Sequence, residues 1–267
     1  MLETVYFNGG TGWSNYYVDA KALGNSIKIA GFTGGPLVRY GSSPCGVEAF
    51  ENGAFVCSAG MSQVSTLLTF NQRLAYGSYA NQPIGYDGTR WTEWAKALSP
   101  SDDYILSLWA SDNTVAIGTS NGHVYKYLNA DPSQPVLLPG LSPARNVALW
   151  GFGPDDLWVG NNNGQILHYD GLSWSAAWSA TDKCQSILGM WGADNSLYFI
   201  TESSIGKITN GDVAILANYA CGGPIQVQAI WGNSVSEVFF AVTNASPDSN
   251  CGRIEVLWYN GVELTAI

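Results

Sequence analysis

Residues 146–179 read NVALWGFGPDDLWVGNNNGQILHYDGLSWSAAWS. Four short runs of strand-forming residues stand in this stretch, separated by turn signals at even spacing. VALWGF ends at the Gly-Pro-Asp-Asp of 153–156. DLWVG alternates apolar and small residues up to the Asn161-Asn162-Asn163-Gly164 reversal. QILHY runs into Asp170-Gly171, a dipeptide that tolerates positive φ and suits a tight hairpin, and SWSAAWS follows as an outermost strand.

The pattern recurs along the chain. The aromatic that closes the first run of each unit falls at Phe32, Phe70, Trp109, Trp150, Trp191 and Trp231, in steps of 38, 39, 41, 41 and 40 residues. A second series marks the turn between the last two runs: Asn52-Gly53, Asp87-Gly88, Asn129, Asp170-Gly171, Asn210-Gly211 and Asn260-Gly261. The insertion TNASPDSNCGR lengthens the last repeat. One four-stranded unit cannot bury both of its faces alone, so a period near forty with four strands per unit implies units flanking one another radially. The strand-like alternation and the 31 glycines exclude helical solenoids of similar period. The expected fold is all-β, a β-propeller of six four-stranded blades in one domain over 1–267, with repeats at 24–60, 61–99, 100–140, 141–181, 182–220 and 221–267.

Residues 1–20 add an N-terminal β-hairpin, because TVYFNGGTGWSNYYV reads as the outer half of a unit with no inner half before it. Three arrangements accommodate it. It forms a partial seventh blade, or it adds to the last blade in place of the short VELTAI edge, or the chain is cut from a longer propeller. Pairing between the two ends would remove edges prone to aggregation.

The run LWGFGPDDLWVGNNNGQILHYDGLSW resembles the WG-x-x-P-x-D-[VL]-W-x-V-G-x-x-G-x-[IL]-x-H-[YW]-[DN]-G-x-x-W blades of secreted and cell-surface propellers from myxobacteria and related bacteria. MWGADNSLYFI and IWGNSVSEVFFAV match that pattern in part. The first two repeats carry Phe for Trp and lack the Asp-Asp pair. The resemblance implies the architecture and an exported setting; it implies no reaction.

Composition bounds the function. Hydrophobic residues make up 46% of the 267 and charged residues only 12%, well below the roughly 25% usual in soluble domains. Such an uncharged polar surface fits an extracellular or periplasmic protein. A net charge of -10 with 11 basic residues leaves nothing like the basic stripe that nucleic acid requires. No segment approaches the roughly 18 apolar residues of a membrane-spanning helix. MLETVYFNGG has neither the basic region nor the apolar run of a signal peptide, so an exported form is expected to be trimmed or a fragment.

The five cysteines, at 45, 57, 184, 221 and 251, form no C-x-x-C pair and no zinc spacing. The loops after the second and fourth strands of a blade share one face, which puts Cys221 and Cys251 on the same side of the last blade. Cys45 and Cys57 lie near one end of the first. The expected disulfides are Cys221–Cys251 and Cys45–Cys57, with Cys184 left over; five free thiols behaving as small apolar groups is the alternative.

Chemistry-bearing motifs are few. His168 sits in the repeat's own LHYDG and reads as architectural, as does His123 at a third strand. The acid pairs at 102–103 and 155–156 lie in turns, where carboxylates cap backbone amides more often than they bind calcium. No metal or cofactor is expected, and no nucleophile elbow, zincin or phosphate-loop motif occurs. Trp109, Trp150, Trp191 and Trp231 read as packing between blades. The outer tryptophans 13, 91, 94, 174 and 178 leave room for shallow sugar sites.

The leading functional expectation is a non-enzymatic, monomeric surface propeller that binds a protein or glycan ligand through variable loops of one face. Asn121, Asn162, Glu202 and Asp248 are the candidate ligand-binding residues, since TSNGH, GNNNGQ, TESSI and TNASPDSNCGR differ while the scaffold repeats. The alternative is a glycoside hydrolase or lyase with carboxylates such as Glu202 or Asp248 at the channel mouth.

Overall fold

Turn chemistry sets where the strands stop. In a computed structural model, residues 15–23, 26–33, 47–51, 54–57, 66–70, 75–79, 82–86, 91–94, 103–111, 114–128, 131, 133–141, 143–181, 184, 186–244 and 253–267 are described. Asp194 and Asn195 have φ of 47° and 57°, and Asn210 and Gly211 have 53° and 85°, the paired positive values of tight hairpin turns. At Asp170-Gly171 the glycine alone goes positive, at 92°. There the Asp170 carboxylate accepts the N–H of Ser173 and Leu172 at 2.7 and 2.9 Å, which holds its carboxyl below the ordinary value. Asn260 does the same for Val262 and Glu263, so one turn design serves two repeats.

Six four-stranded antiparallel sheets result, each in chain order. Sheet one holds β1 Asn15–Leu23, β2 Ser26–Thr33, β3 Val47–Glu51 and β4 Ala54–Cys57; sheet two holds β5 Thr66–Phe70, β6 Ala75–Tyr79, β7 Gln82–Tyr86 and β8 Trp91–Glu93. Sheet three is β9 Ile105–Ser111, β10 Thr114–Thr119, β11 Val124–Leu128 and β12 Pro135–Leu138. Sheet four is β13 Asn146–Gly153, β14 Asp156–Asn161, β15 Gln165–Tyr169 and β16 Trp174–Ser179. Sheet five is β17 Ile187–Ala193, β18 Ser196–Thr201, β19 Ser204–Thr209 and β20 Asp212–Asn218. Sheet six is β21 Ile225–Ser234, β22 Glu237–Asn244, β23 Arg253–Tyr259 and β24 Leu264–Ala266. Residues 1–96 and 97–267 are two compact units, with two sheets in the first and four in the second.

Sheet one departs from the sequence reading. NYYVDAKAL, assigned in part to an N-terminal hairpin, is its first strand and pairs with SIKIAGFT from Asn15 opposite Thr33 to Leu23 opposite Ser26. Phe32 is therefore on a second strand, and only the other five members of the aromatic series close first strands. The reason is local: only two residues separate the nine- and eight-residue runs in sequence, and antiparallel neighbours linked that closely pair with each other first. The TVYF segment of the expected hairpin lies outside the described residues.

In the second unit the apolar core lies between consecutive sheets. Trp109, Ala116 and Val124 of sheet three meet Leu149, Leu157 and Val159 of sheet four. Ile166 of sheet four meets Leu197, Phe199 and Ile208 of sheet five. Trp191, Tyr198 and Ile205 of sheet five meet Val227, Phe240 and Tyr259 of sheet six. The recurrent Trp-Gly dipeptide explains the joints. A methyl placed on Gly151 would come within 2.8 Å of the Trp109 ring, one on Gly192 within 2.7 Å of Trp150, and one on Gly232 within 2.8 Å of Trp191. Each indole thus lies flat on the glycine that follows the next sheet's own tryptophan. Gly232→Ala, which drives a carbon into three atoms of a ring already held on its other side, should cost about 1–3 kcal/mol by overpacking. Urea unfolding reads this, and an unchanged midpoint would mean the joint is loose.

One disulfide is described. Cys184 joins Cys221, with Cα atoms 5.5 Å apart and a sequence separation of 37. This corrects the expected Cys221–Cys251 bond. Cys184 and Cys221 stand just before β17 and β21, one repeat apart, so the same geometry that lays first strand against first strand brings their leading loops together. Cys251 and Cys45 lie outside the described residues, and with them the test of Cys45–Cys57.

Candidate functional site

The register places one row of side chains across each sheet, headed by the first-strand tryptophan. In sheet three the row is Trp109, Ala116, Lys126 and Val136. In sheet four it is Trp150, Trp158, His168 and Ser175. Sheet five has Trp191, Tyr198, Lys207 and Ala214, and sheet six has Trp231, Phe239, Trp258 and Thr265. Contacts along these rows decide how each joint is filled.

Between sheets three and four, Lys126 is buried and its Nζ donates to Pro154 O and Asp155 Oδ1, both at 2.9 Å, tying the third strand to the next sheet's first turn. Between sheets five and six, the Tyr198 hydroxyl donates to Val235 O at 2.8 Å, while Lys207 Nζ lies 5.3 Å from the Tyr198 ring and 5.9 Å from the Tyr259 ring. Sheet four has the shorter His168 at the lysine position, and that histidine is held within its own sheet. Its Nε2 is 2.9 Å from Asp156 Oδ1, and its ring stacks on Trp158 at 4.1 Å and 21°. The indole Nε1 of Trp158 donates to the same Oδ1 at 2.8 Å. Among the described residues, no hydrogen bond or ion pair from His168 crosses to the turn of sheet five.

The joint is left as a cleft of about 550 Å³. Phe152, Ala176, Ala177 and Ile208 give it apolar walls, and Asp156, Trp158, His168 and Ser175 give it one polar side. Asn195 and the Asn210-Gly211 turn form the facing rim, with both asparagines in the left-handed region. A carboxylate only accepts, so His168 Nε2 carries the proton and Nδ1, an acceptor in the neutral ring, has no partner among the described residues. Asp156 Oδ2 has no partner among the described residues. The carboxylate, the imidazole and two carboxamides therefore present unused hydrogen-bonding capacity beside the apolar walls. No lysine or arginine stands among its described lining residues.

No family model matches this sequence, and no curated protein matches it. Solved structures do. The computationally designed Ika8 protein superposes with a TM-score of 0.61 at 14% identity, over 94% of this chain and 82% of its own. The extracellular domain of BT4673 from B. thetaiotaomicron gives 0.64 at 9% identity, over 99% of this chain and 39% of that one. The C-terminal WD40 domain of Sif2 gives 0.58 at 12% identity, over 94% and 80%. The fold is a β-propeller. Its sheets are blades, and the cleft lies between the fourth and fifth.

The loop residues singled out from sequence sit at the other end of the blades. Asn121, Asn162 and Glu202 follow the second strands of the third, fourth and fifth blades, all exposed, and Asp248 lies outside the described residues. Among the described residues, no hydrogen bond or ion pair joins one of these side chains to another. Each loop is braced instead to a neighbouring strand. The buried Asp103 carboxylate accepts from Asn121 N at 2.9 Å, from Ser120 Oγ at 3.1 Å and from His123 Nδ1 at 2.8 Å. Asn162 exchanges bonds with the Arg145 backbone, its Oδ1 accepting and its N–H donating at 3.0 Å. Glu202 O accepts from Val227 N. Asp103 thus does what acids in turns were expected to do. The outer tryptophans are structural where described: Trp178 packs on Phe199 at 4.6 Å and Trp174 on Tyr169 at 5.1 Å.

The cleft residues Asp156, Trp158, Asn195 and Asn210 were not legible as a group, and His168 read as architectural. The third-strand position reads Lys126, His168, Lys207 and Trp258 across sheets three to six, a series too varied to mark His168 on its own.

Proposed function

We propose that this protein is a non-enzymatic binding propeller that works outside the cytoplasm and takes a protein or glycan ligand in the cleft between its fourth and fifth blades. The observation that carries the reading is the difference between joints. Lys126 and Tyr198 cross to the next blade on either side, while His168 is turned back by Asp156 and leaves its joint open. The His168 and Asp156 side chains are 29% and 44% exposed and Asn195 and Asn210 are exposed, so their free hydrogen-bonding positions are open to a ligand arriving from solvent. The Cys184–Cys221 disulfide supports an oxidising compartment. Asp156 is the one carboxylate among the described lining residues, whereas glycoside hydrolysis uses two, which favours binding over the hydrolase alternative.

The test is a His168→Lys variant, which supplies the side chain that fills the joint between the third and fourth blades. The labelled wild-type chain is applied to glycan and peptide arrays, and its hits are compared with those of the variant. Loss of about tenfold or more in affinity is expected, with the melting temperature held or raised. Equal binding by both chains would remove the cleft from the function. If Asn121→Ala, Asn162→Ala and Glu202→Ala weakened binding instead, the loop face would be the site.

A further inference from the structure

Resting on that reading, we propose that the cleft is a saccharide site that holds one neutral pyranose unit. Its polar groups are of the kinds that hydroxyls satisfy. Asp156 Oδ2 accepts only, His168 Nδ1 accepts in the neutral ring, and the carboxamides of Asn195 and Asn210 both donate and accept. A sugar hydroxyl also does both, so adjacent hydroxyls bridge the carboxylate and an amide without leaving either unpaired. A hydrogen bond to a carboxylate is the stronger kind, and Asp156 is held for it by two fixed donors on its other oxygen. The apolar walls of Phe152, Ala177 and Ile208 match the C–H face of the same ring.

Other ligand chemistries fit worse. A phosphate or carboxylate would meet Asp156 with no cation among the described lining residues to balance it. An extended peptide needs unpaired backbone groups to bond along its length; β15 and β19, which line the cleft through His168 and Ile208, are paired on both sides, and of the lining strands of sheet four only the edges β13 and β16 have an open side. The volume of about 550 Å³ suits one ring with part of a linked neighbour.

The experiment is NMR titration of the full chain with the methyl glycosides of glucose, galactose, mannose and N-acetylglucosamine at millimolar concentration, watching the Trp158 indole N–H, assigned with a Trp158→Phe variant. A saturable shift with at least one glycoside is expected, absent in His168→Lys. Asp156→Asn should keep the fold, since its amide oxygen still accepts, and should weaken that glycoside about tenfold or more. If peptide hits from the arrays shift the Trp158 N–H while no glycoside does, the sugar assignment falls and the cleft reading stands. If no probe shifts it, both fall. A glycoside that binds Asp156→Asn as tightly as wild type also overturns the assignment.

Discussion

Breaking the Cys184–Cys221 bond should cost the second unit about 3–4 kcal/mol, the chain-entropy value for a bridge closing a loop of 37 residues. The bond ties the loops that lead into β17 and β21, so its loss frees two neighbouring first strands to separate at one end. A Cys184→Ser, Cys221→Ser double variant should unfold at markedly lower denaturant than wild type, and adding reductant should move wild type to the same place. With five cysteines in the chain and two of them bonded, thiol titration of unreduced, denatured protein should find no more than three free groups. Indifference of the midpoint to both reductant and the double substitution would mean the bond does not form in solution.

A second large effect is expected at Tyr198, the side chain that fills the joint between the fifth and sixth blades. It is fully buried, its ring meets Trp191 at 5.9 Å and Tyr259 at 5.8 Å, and its hydroxyl bonds Val235 O. Tyr198→Ala should cost about 3–5 kcal/mol, as for other buried aromatics. Tyr198→Phe keeps the ring and should cost about 1 kcal/mol. Burial first, and the neighbouring Tyr259 second, push the Tyr198 phenol up to about 12. A free tyrosine titrates near 10, so below about pH 10 both states hold the proton and the stabilisation is complete. Above that, the unfolded chain releases a proton that the folded one keeps, and stability falls until the folded phenol titrates too. Wild type should therefore lose stability between about pH 10 and 12 more steeply than Tyr198→Phe, by chemical denaturation at each pH. Parallel curves for the two proteins would place the phenol in contact with water.

The repeat was legible because its determinants are local. Strand alternation, Asp-Gly and Asn-Gly turns and a tryptophan every forty residues act within a single unit, and Trp109, Trp150 and Trp191 do join consecutive blades as their register implied. The disulfide was not legible because it joins equivalent positions of two blades, one repeat apart, whereas shared loop faces within one blade point to Cys221 and Cys251. Sheet one was misread because its first strand carries no closing tryptophan to mark it. The cleft escaped because it depends on side-chain length across a joint. Whether His168 reaches forward or is turned back is decided by Asp156, twelve residues away on another strand, and neither residue departs from the repeat pattern by itself.

The tryptophan-on-glycine joint has a direction. The fourth and fifth blades each present a ring to the blade that follows and a bare backbone to the blade before, carried on adjacent residues of one strand. A duplication of a whole repeat copies both halves of that coupling together, so a new unit arrives able to receive its predecessor and dock on its successor. Gain or loss of a partial repeat leaves a ring without a seat. Gene duplication in steps of about forty codons is then the path of least resistance by which such a chain grows, and its stability accrues joint by joint between neighbours.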